Sequence, residues 1–559
     1  MSSIGFIVPA GILLAITLIY LYGMNKRKIL RRRLKAAWGT SAALRKADHD
    51  QIDNMAEYYR ALQRFKPVKE DVDDITWRDL NMDEVFSSVD CSQSVVGSEV
   101  LYANLRRQNM PHENLMKKED IIELYRVDEQ ARLETQEALS GIGRSSYHGA
   151  ARYLFSAAFQ YPPRRWLYKL LAIIPLVILA GAILYTPVIL GMILSFGVNI
   201  FVFYRTQALW EKEMASIRHI GAVLHCAQRL GRIKAKAFNS TAVEIRSLNH
   251  EFIKIRFWLP MFDMRGFSNL EMMLEYIKII FMLDMISLSA IVDELNKHAD
   301  AIRRIYYLVG QADVCQLTAQ LREREAWHCI PCFHEGLEVC AQGLRHPLLK
   351  DAVPNSIIWN GNALITGSNA SGKSTFIKAL AVNCILAQTI HTCFAQTFTL
   401  CKARVMSSMA IRDDIMEGES YFIAEIKSLK RILDVAQERG AVLCFVDEIL
   451  RGTNTIERIA ASSAVLGSLA GLNMLCIIAT HDIELTRLLS PGYRNLHFSE
   501  KITEEGVQFD YLLHEGPTRT RNAILLLRQM GFPPPVIEEA EKNVEYFERE
   551  GVWPKQSIS

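Results

Sequence analysis

The sequence predicts a mixed α + α/β protein: a helical core broken by apolar membrane-type segments, followed by a C-terminal α/β domain. Three observations carry this. Two long uncharged runs, Met1 to Asn25 and Leu170 to Tyr204, interrupt otherwise polar helical sequence. From about residue 335, short β-rich runs alternate with helical stretches, which is an α/β signature. One glycine-rich turn, Gly367 to Thr375, joins such a run to a helix.

The first run meets the requirement of about 20 apolar residues for a membrane-crossing helix. A signal peptide would place its basic residues before the apolar run. Here Lys26, Arg27, Lys28, Arg31, Arg32, Arg33 and Lys35 follow it. The expectation is an uncleaved anchor with a cytoplasmic basic flank. That flank also explains the net charge of +3, because the other 57 basic residues stand against 61 acidic ones and leave −4. With 50% hydrophobic and 22% charged residues, intrinsic disorder is excluded.

The second run has 35 residues, too long for one ordinary helix and short for two. Tyr185-Thr186-Pro187 breaks it, since proline interrupts a helix. Arg164, Arg165 and Lys169 flank one end and Arg205 the other, with Trp166, Tyr168 and Tyr204 placed as interfacial aromatics. This reads as a tight two-helix hairpin with both ends cytoplasmic, giving three spans in a multi-pass cell-membrane protein. The 11 scattered cysteines fit a reducing cytoplasm.

The expected organisation is an anchor over 1–25 and a basic juxtamembrane helix over 26–70. A helical core occupies 71–165 and resumes, as lever and core, over 205–334, with the hairpin at 166–204 between its two parts. The α/β domain covers 335–545 and a tail 546–559. Apolar residues at three- and four-residue spacing support helices through Met272–Leu295.

The glycine-rich turn fits Gly-x-x-x-x-Gly-Lys-Ser/Thr, the phosphate-binding loop. Gly367, Asn369 and Gly372 let backbone N–H groups face phosphates at a helix N-terminus. Lys373 would reach the β/γ-phosphates, and Ser374, followed by Thr375, would ligate Mg²⁺. A second apolar strand, Ala441 to Val446, ends in Asp447-Glu448. Asp447 suits the Mg²⁺ shell and Glu448 the polarisation of attacking water. A third strand ends at His481, where a neutral imidazole can sense phosphate or position water. ATP and Mg²⁺ are the expected ligands of an ATP hydrolase.

Several segments together resemble the MutS family of DNA mismatch-repair ATPases. They are Ile365 to Thr375 (with Ser368 where the family has proline), Leu386-Ala-Gln388 with Cys393-Phe394-Ala395, and Ser420 to Glu425. Asp447 to Asn454, Ala479-Thr480-His481, Leu344 to Leu349, Val353-Pro354-Asn355, Arg521-Asn522-Ala523 and Gly531-Phe532-Pro533 extend the likeness. It is close over 335–545 and looser over Thr76–Leu80, 97–105 and 270–325.

The resemblance implies an ABC-like P-loop ATPase acting as a head-to-head homodimer with composite sites. Ser420 would reach the partner's γ-phosphate, the Arg451–Asn454 turn would lie at the interface, and Val353 and His514 would contact adenine. DNA, mismatched or branched, is the implied partner. Residues 25–70 are too few for the family's mismatch-reading domain and lack its Phe-x-Glu wedge. A membrane-anchored member without direct mismatch reading is therefore expected, the alternative being an ATP-driven membrane scaffold or signalling switch without DNA. An ABC-type transporter is disfavoured, since no Leu-Ser-Gly-Gly-Gln segment precedes Asp447. Cys329-x-x-Cys332 reads as structure, being two ligands short of a zinc site. Arg229, Arg232, Lys234 and Lys236 read as a solvated basic face.

Overall fold

The computed structural model describes residues 4–41, 44, 49–108, 111–144, 149–155, 159–262, 269–368, 371–409, 421–438, 440–490, 492–503, 506–517, 524, 527–528 and 530–554. The chain forms two compact units. One comprises residues 1–69 and 86–326, the other residues 70–85 and 327–559.

The first unit is helical. Its central element is helix Ala299–Arg324, buried along most of its length. It packs closely on helix Val95–Arg106, and two glycines permit the approach. A Cβ on Gly310 would meet the Val96 carbonyl oxygen at 2.9 Å, and one on Gly97 would collide with the Asp313 side chain. Asp313 is wholly buried and accepts from the N–H groups of Gln93 (2.9 Å) and Ser94 (2.8 Å) and from Ser94 Oγ (2.6 Å). Ser94 in turn caps the helix by accepting from Gly97 N. Burial pushes the Asp313 carboxyl up to about 6, against the opposing pull of those hydrogen bonds.

The N-terminal apolar run lies in helix Ile4–Ala37, which continues unbroken into the basic flank. Most side chains of its first 20 residues lie outside the described ones. Among the described residues, two stretches rather than three are long and apolar enough to cross a membrane: Arg165–Leu184 and Thr186–Leu230. The first leg ends at Leu184, and a 3₁₀ turn, Thr186–Leu190, reverses the chain. The return helix, Gly191–Leu230, does not stop at residue 204 but runs on into the helical core, with a kink at Trp210. Trp166 and Tyr204 are exposed as interfacial aromatics would be, whereas Tyr168 is buried among neighbouring helices.

The basic flank is not wholly free. Arg27 and Arg31 both pair with Glu137, whose side chain is 1% exposed, and Lys35 pairs with Glu129. Arg229, read from sequence as part of a solvated face, reaches the same carboxylate (3.4 Å) and also donates to the Glu137 carbonyl (2.9 Å).

Among its described residues the second unit holds ten strands: β1 (Cys332–His334), β2 (Val339–Leu344), β3 (Asn355–Trp359), β4 (Ala363–Thr366), β5 (Thr397–Cys401), β6 (Arg404–Ser408), β7 (Val442–Asp447), β8 (Met474–Ala479), β9 (Arg494–Thr503) and β10 (Gly506–Glu515). A four-stranded sheet has the order β1-β5-β2-β3. The larger sheet has the order β10-β9-β4-β8-β7-β6, parallel except for β10. β4 and β8 are buried throughout, as strands covered on both faces must be. Helices Tyr421–Ala436 and Thr455–Leu469 supply apolar cover from Leu429, Ile432, Leu466 and Leu469. Each such fully buried aliphatic side chain contributes about 2 kcal/mol.

Residues 70–85 are tied to this sheet. Thr76 Oγ1 accepts from Ser407 N (3.1 Å), Asp79 accepts from Ser407 Oγ (2.7 Å) and Met409 N (3.0 Å), and Asp73 pairs with Arg431.

Candidate functional site

Parallel strands bring their C-terminal ends to one edge, and the turns that leave it carry the polar side chains. β4 ends at Thr366 and runs through Gly367 into helix Lys373–Ile390. Gly367 (φ +148°) and Gly372 (φ +105°) both lie where a side chain is strained. At Gly367 space forbids one as well, since a Cβ would stand 2.9 Å from the Phe498 carbonyl oxygen.

Lys373 is 5% exposed and folds back over the loop. Its Nζ donates to the carbonyls of Gly367 (2.8 Å) and Ser368 (2.7 Å) and lies 3.4 Å from His481 Nε2. Burial pulls its pKa down to about 8, and the neighbouring Asp447 and Glu500 carboxylates offset only part of that. Ser368 donates from Oγ to Glu500 on β9.

Asp447 ends β7 opposite Ala479 of β8. Its Oδ1 is buried and has no hydrogen-bond partner among the described residues. Glu448 follows with its N–H given to the Ala479 carbonyl (2.9 Å) and its backbone in the left-handed region (φ +59°). Leu450 shares that conformation (φ +54°). Such geometry costs a non-glycine residue about 1–2 kcal/mol and turns the chain sharply off the strand. The Glu448 carboxylate then meets two groups. Arg451 pairs with it, and His481 Nε2 lies 3.2 Å from Oε1. The His481 pKa falls below the usual imidazole value through burial, reinforced by the Lys373 and Arg451 cations, so the ring is neutral at physiological pH. The adjoining Asp482 holds Arg458 through two bonds (2.9 and 2.6 Å), which fixes the turn against helix Thr455–Leu469. Asn454 caps that helix by accepting from Glu457 N (3.0 Å).

A cavity of about 590 Å³ opens beside this cluster. Gly372, Lys373, Ser374, Thr375 and Glu448 line it, together with Val353, Phe498 and Tyr511. Asn355, also in the lining, braces β10 by donating to the Tyr511 carbonyl (2.9 Å) and accepting from Leu513 N (2.8 Å).

Of the residues singled out from sequence, Lys373, Ser374, Thr375, Gly372, Glu448 and Val353 border this cavity. His481 touches Lys373 and Glu448. His514 is not among the lining residues; it pairs with Asp510 (2.9 Å) and faces His497. Asn369, Ser420 and the Arg521–Ala523 segment lie outside the described residues. Tyr511, Phe498 and Glu500 were not anticipated. Their one sequence signal is the β-hairpin that follows the His481 strand, and it carries no motif. Cys329 forms an isolated backbone bridge to Cys393, and no group of three metal-ligating side chains occurs among the described residues.

The arrangement offers a phosphate cradle, a buried cation, an unpaired carboxylate oxygen and a carboxylate–imidazole pair beside one cavity. Residues 363–548 match the family described as MutS domain V. The chain is 30% identical over 282 residues to the DNA mismatch repair protein MutS of Aquifex pyrophilus, covering 48% of this chain and 32% of that protein. It is 30% identical over 256 residues to that of Thermus thermophilus, covering 45% and 31%. It is 34% identical over 216 residues to DNA mismatch repair protein MutS 2 of Halobacterium salinarum, covering 36% and 24%. The matched part thus spans about a third or less of these relatives' length. The likeness to the MutS family thus rests on this C-terminal portion, whose residues 363–548 match its domain V.

Proposed function

We propose that this chain is a membrane-anchored, MutS-type ATPase whose nucleotide cycle opens and closes a homodimer and is coupled to DNA. One observation carries the reading: His481 Nε2 lies 3.4 Å from Lys373 Nζ and 3.2 Å from Glu448 Oε1, beside a cavity of about 590 Å³ at the sheet edge. Lys373 releases its two carbonyls to bind the β/γ-phosphates, and the Gly367–Gly372 backbone and the helix N-terminus neutralise the rest. Glu448 accepts the proton of the attacking water, and His481 orients it. Val353 and Tyr511 flank the base.

The residues fit a divalent cation. A buried carboxylate oxygen without a partner is costly unless a cation completes it, and Asp447 Oδ1 is such an atom. Asp447 and Ser374 would hold Mg²⁺, which when bound neutralises phosphate charge. Ser420 and the Arg451–Asn454 turn belong, on this reading, to contacts with the partner copy.

The N-terminal helix and the apolar hairpin attach the protein to the cell membrane, with the ATPase unit in the cytoplasm. A second reading, an ATP-driven membrane scaffold without DNA, is favoured by the charge distribution, since the chain outside the basic flank carries −4. ATPase assays on purified protein with homoduplex, mismatched, branched and single-stranded DNA test both, with Lys373→Ala as the blank. Turnover that does not depend on Lys373 sinks the ATPase reading. Turnover unchanged by every DNA, at low and moderate salt, removes DNA and leaves the scaffold.

A further inference from the structure

The carbonyl of Ser368 gathers three donors. Lys373 Nζ reaches it at 2.7 Å, Ser371 Oγ at 2.8 Å and Ser371 N at 3.4 Å. Lys373 Nζ also reaches the Gly367 carbonyl at 2.8 Å. An ammonium, a hydroxyl and a backbone N–H turned to one point of a glycine-rich loop are groups suited to phosphate oxygens. Here a carbonyl of the loop itself satisfies them. Ser371 is wholly buried and Lys373 is 5% exposed, so water is a poor replacement for these bonds. Ser368 and Lys373 both border the cavity of about 590 Å³.

The side chain of the same residue holds that carbonyl in place. Ser368 Oγ donates to Glu500 Oε2. Glu500 lies on β9, where it stands opposite Phe509 of β10. β9 also pairs with β4, the strand that feeds the loop, and Thr366 stands opposite His497. The acceptor therefore belongs to the sheet and not to the loop. Ser368 is fixed at two points, by its hydroxyl on β9 and by its carbonyl on Lys373 and Ser371. A hydroxyl bonded to a carboxylate makes a charge-assisted bond, stronger than a neutral one. Ser368 is also where this loop departs from the proline of the MutS pattern, and proline has no hydroxyl to give.

We propose that the Ser368–Glu500 hydrogen bond is a latch on the phosphate loop, holding the Ser368 carbonyl in competition with the phosphates of ATP and so lowering nucleotide affinity. This rests on the ATPase reading above and makes Ser368 and Glu500 positioning residues for it. Phosphate must draw Lys373 and the Ser371 donors away from the carbonyl, and the latch opposes the loop movement that releases them. The binding-competent arrangement is then a fraction of the whole, and apparent affinity is reduced by that fraction. A hydrogen bond to a charged acceptor shifts such a balance by about tenfold.

The charge of Glu500 has a separate effect. It acts through space on the Lys373 ammonium, and it acts on phosphate with the opposite sign. Ser368→Ala removes the bond and leaves the charge, which separates the two.

The test is a calorimetric titration of the full-length protein with a slowly hydrolysed ATP analogue and Mg²⁺. Ser368→Ala should bind about tenfold more tightly than the native chain. Ser368→Thr keeps the hydroxyl and should keep native affinity. In a Glu500→Ala background the acceptor is already gone, so Ser368→Ala should change affinity there by less than about twofold. A gain in affinity is not what a damaged fold produces, so the readout stands apart from stability. Native or weaker affinity in Ser368→Ala overturns the latch. An equal gain in both backgrounds also overturns it, because the effect then owes nothing to Glu500, and so does the same gain in Ser368→Thr. If the native chain and Ser368→Ala both fail to bind the analogue, the ATPase reading itself falls and takes the latch with it.

Discussion

Glu448 Oε1 and His481 Nε2 lie 3.2 Å apart at the C-terminal ends of two neighbouring parallel strands. The same imidazole nitrogen is 3.4 Å from Lys373 Nζ. It cannot accept from the ammonium and donate to the carboxylate at once. On the proposed reading, drawing Lys373 away onto phosphate would free that nitrogen to donate to Glu448 and hold its carboxylate in place, so phosphate binding and the positioning of Glu448 would share one atom.

Glu448→Gln keeps the size of the side chain and removes its basicity. Turnover should fall by about 10²–10⁴-fold, the usual worth of a positioned base, while nucleotide affinity changes less than threefold. Single-turnover hydrolysis beside fluorescent-nucleotide titration checks this. Full turnover would remove Glu448 from the chemistry.

Lys373→Ala should abolish measurable ATP binding. In the intact protein, burial holds the Lys373 pKa at about 8, and bound phosphates raise it. Affinity should therefore be greatest below pH 8 and fall as pH rises through that value, by up to about tenfold per unit. Calorimetric titrations at pH 7 and pH 9.5 decide it; a flat profile contradicts the placement of the amine against phosphate.

Gly310→Ala sets two effects against each other. Alanine favours the helix over glycine by about 1 kcal/mol. The added methyl would press on Val100 and on the Val96 carbonyl, and overpacking costs about 1–3 kcal/mol. The clash involves backbone, so it should win, with a net loss of up to about 2 kcal/mol in denaturant unfolding of the helical unit. A stabilised variant would mean the two helices separate easily.

Arg27→Ala combined with Arg31→Ala leaves buried Glu137 paired with Arg229 among the described residues. Loss of part of a buried ion cluster costs less than loss of all of it, here about 1–3 kcal/mol. The N-terminal helix should loosen, and chymotryptic cleavage at Trp38 should quicken about tenfold. Lys28→Ala with Arg32→Ala, at exposed positions of the same helix, should leave the rate unchanged.

Much of the site was legible because its chemistry is local. Gly367 to Thr375 states loop, cation and helix start within nine residues. Asp447 and Glu448 follow a run apolar enough for a strand buried on both faces. The partners were not legible because they arrive through tertiary pairing. Glu500 reaches Ser368 across β9, and Tyr511 reaches the cavity from β10. Residues 70–85 join the α/β unit through side-chain bonds from Thr76 and Asp79 to backbone groups of residues 407–409, which no periodicity announces. The basic flank was legible only in part. Its charges read as the cytoplasmic flank of an anchor, and three of them at four-residue spacing, Arg27, Arg31 and Lys35, also turn toward the acidic Glu129–Leu139 helix.

The left-handed backbone at Glu448 has a consequence for how this chain can change. Glycine would relieve the ~1–2 kcal/mol of strain there at ~0.5–1 kcal/mol of extra unfolded-state entropy. By that reckoning, Glu448→Gly folds at least as readily as the native chain and has lost its base. If Glu448 is the base proposed above, a screen for backbone strain alone would drift toward an inactive residue, and turnover, with the Arg451 and His481 contacts, would hold glutamate at this position.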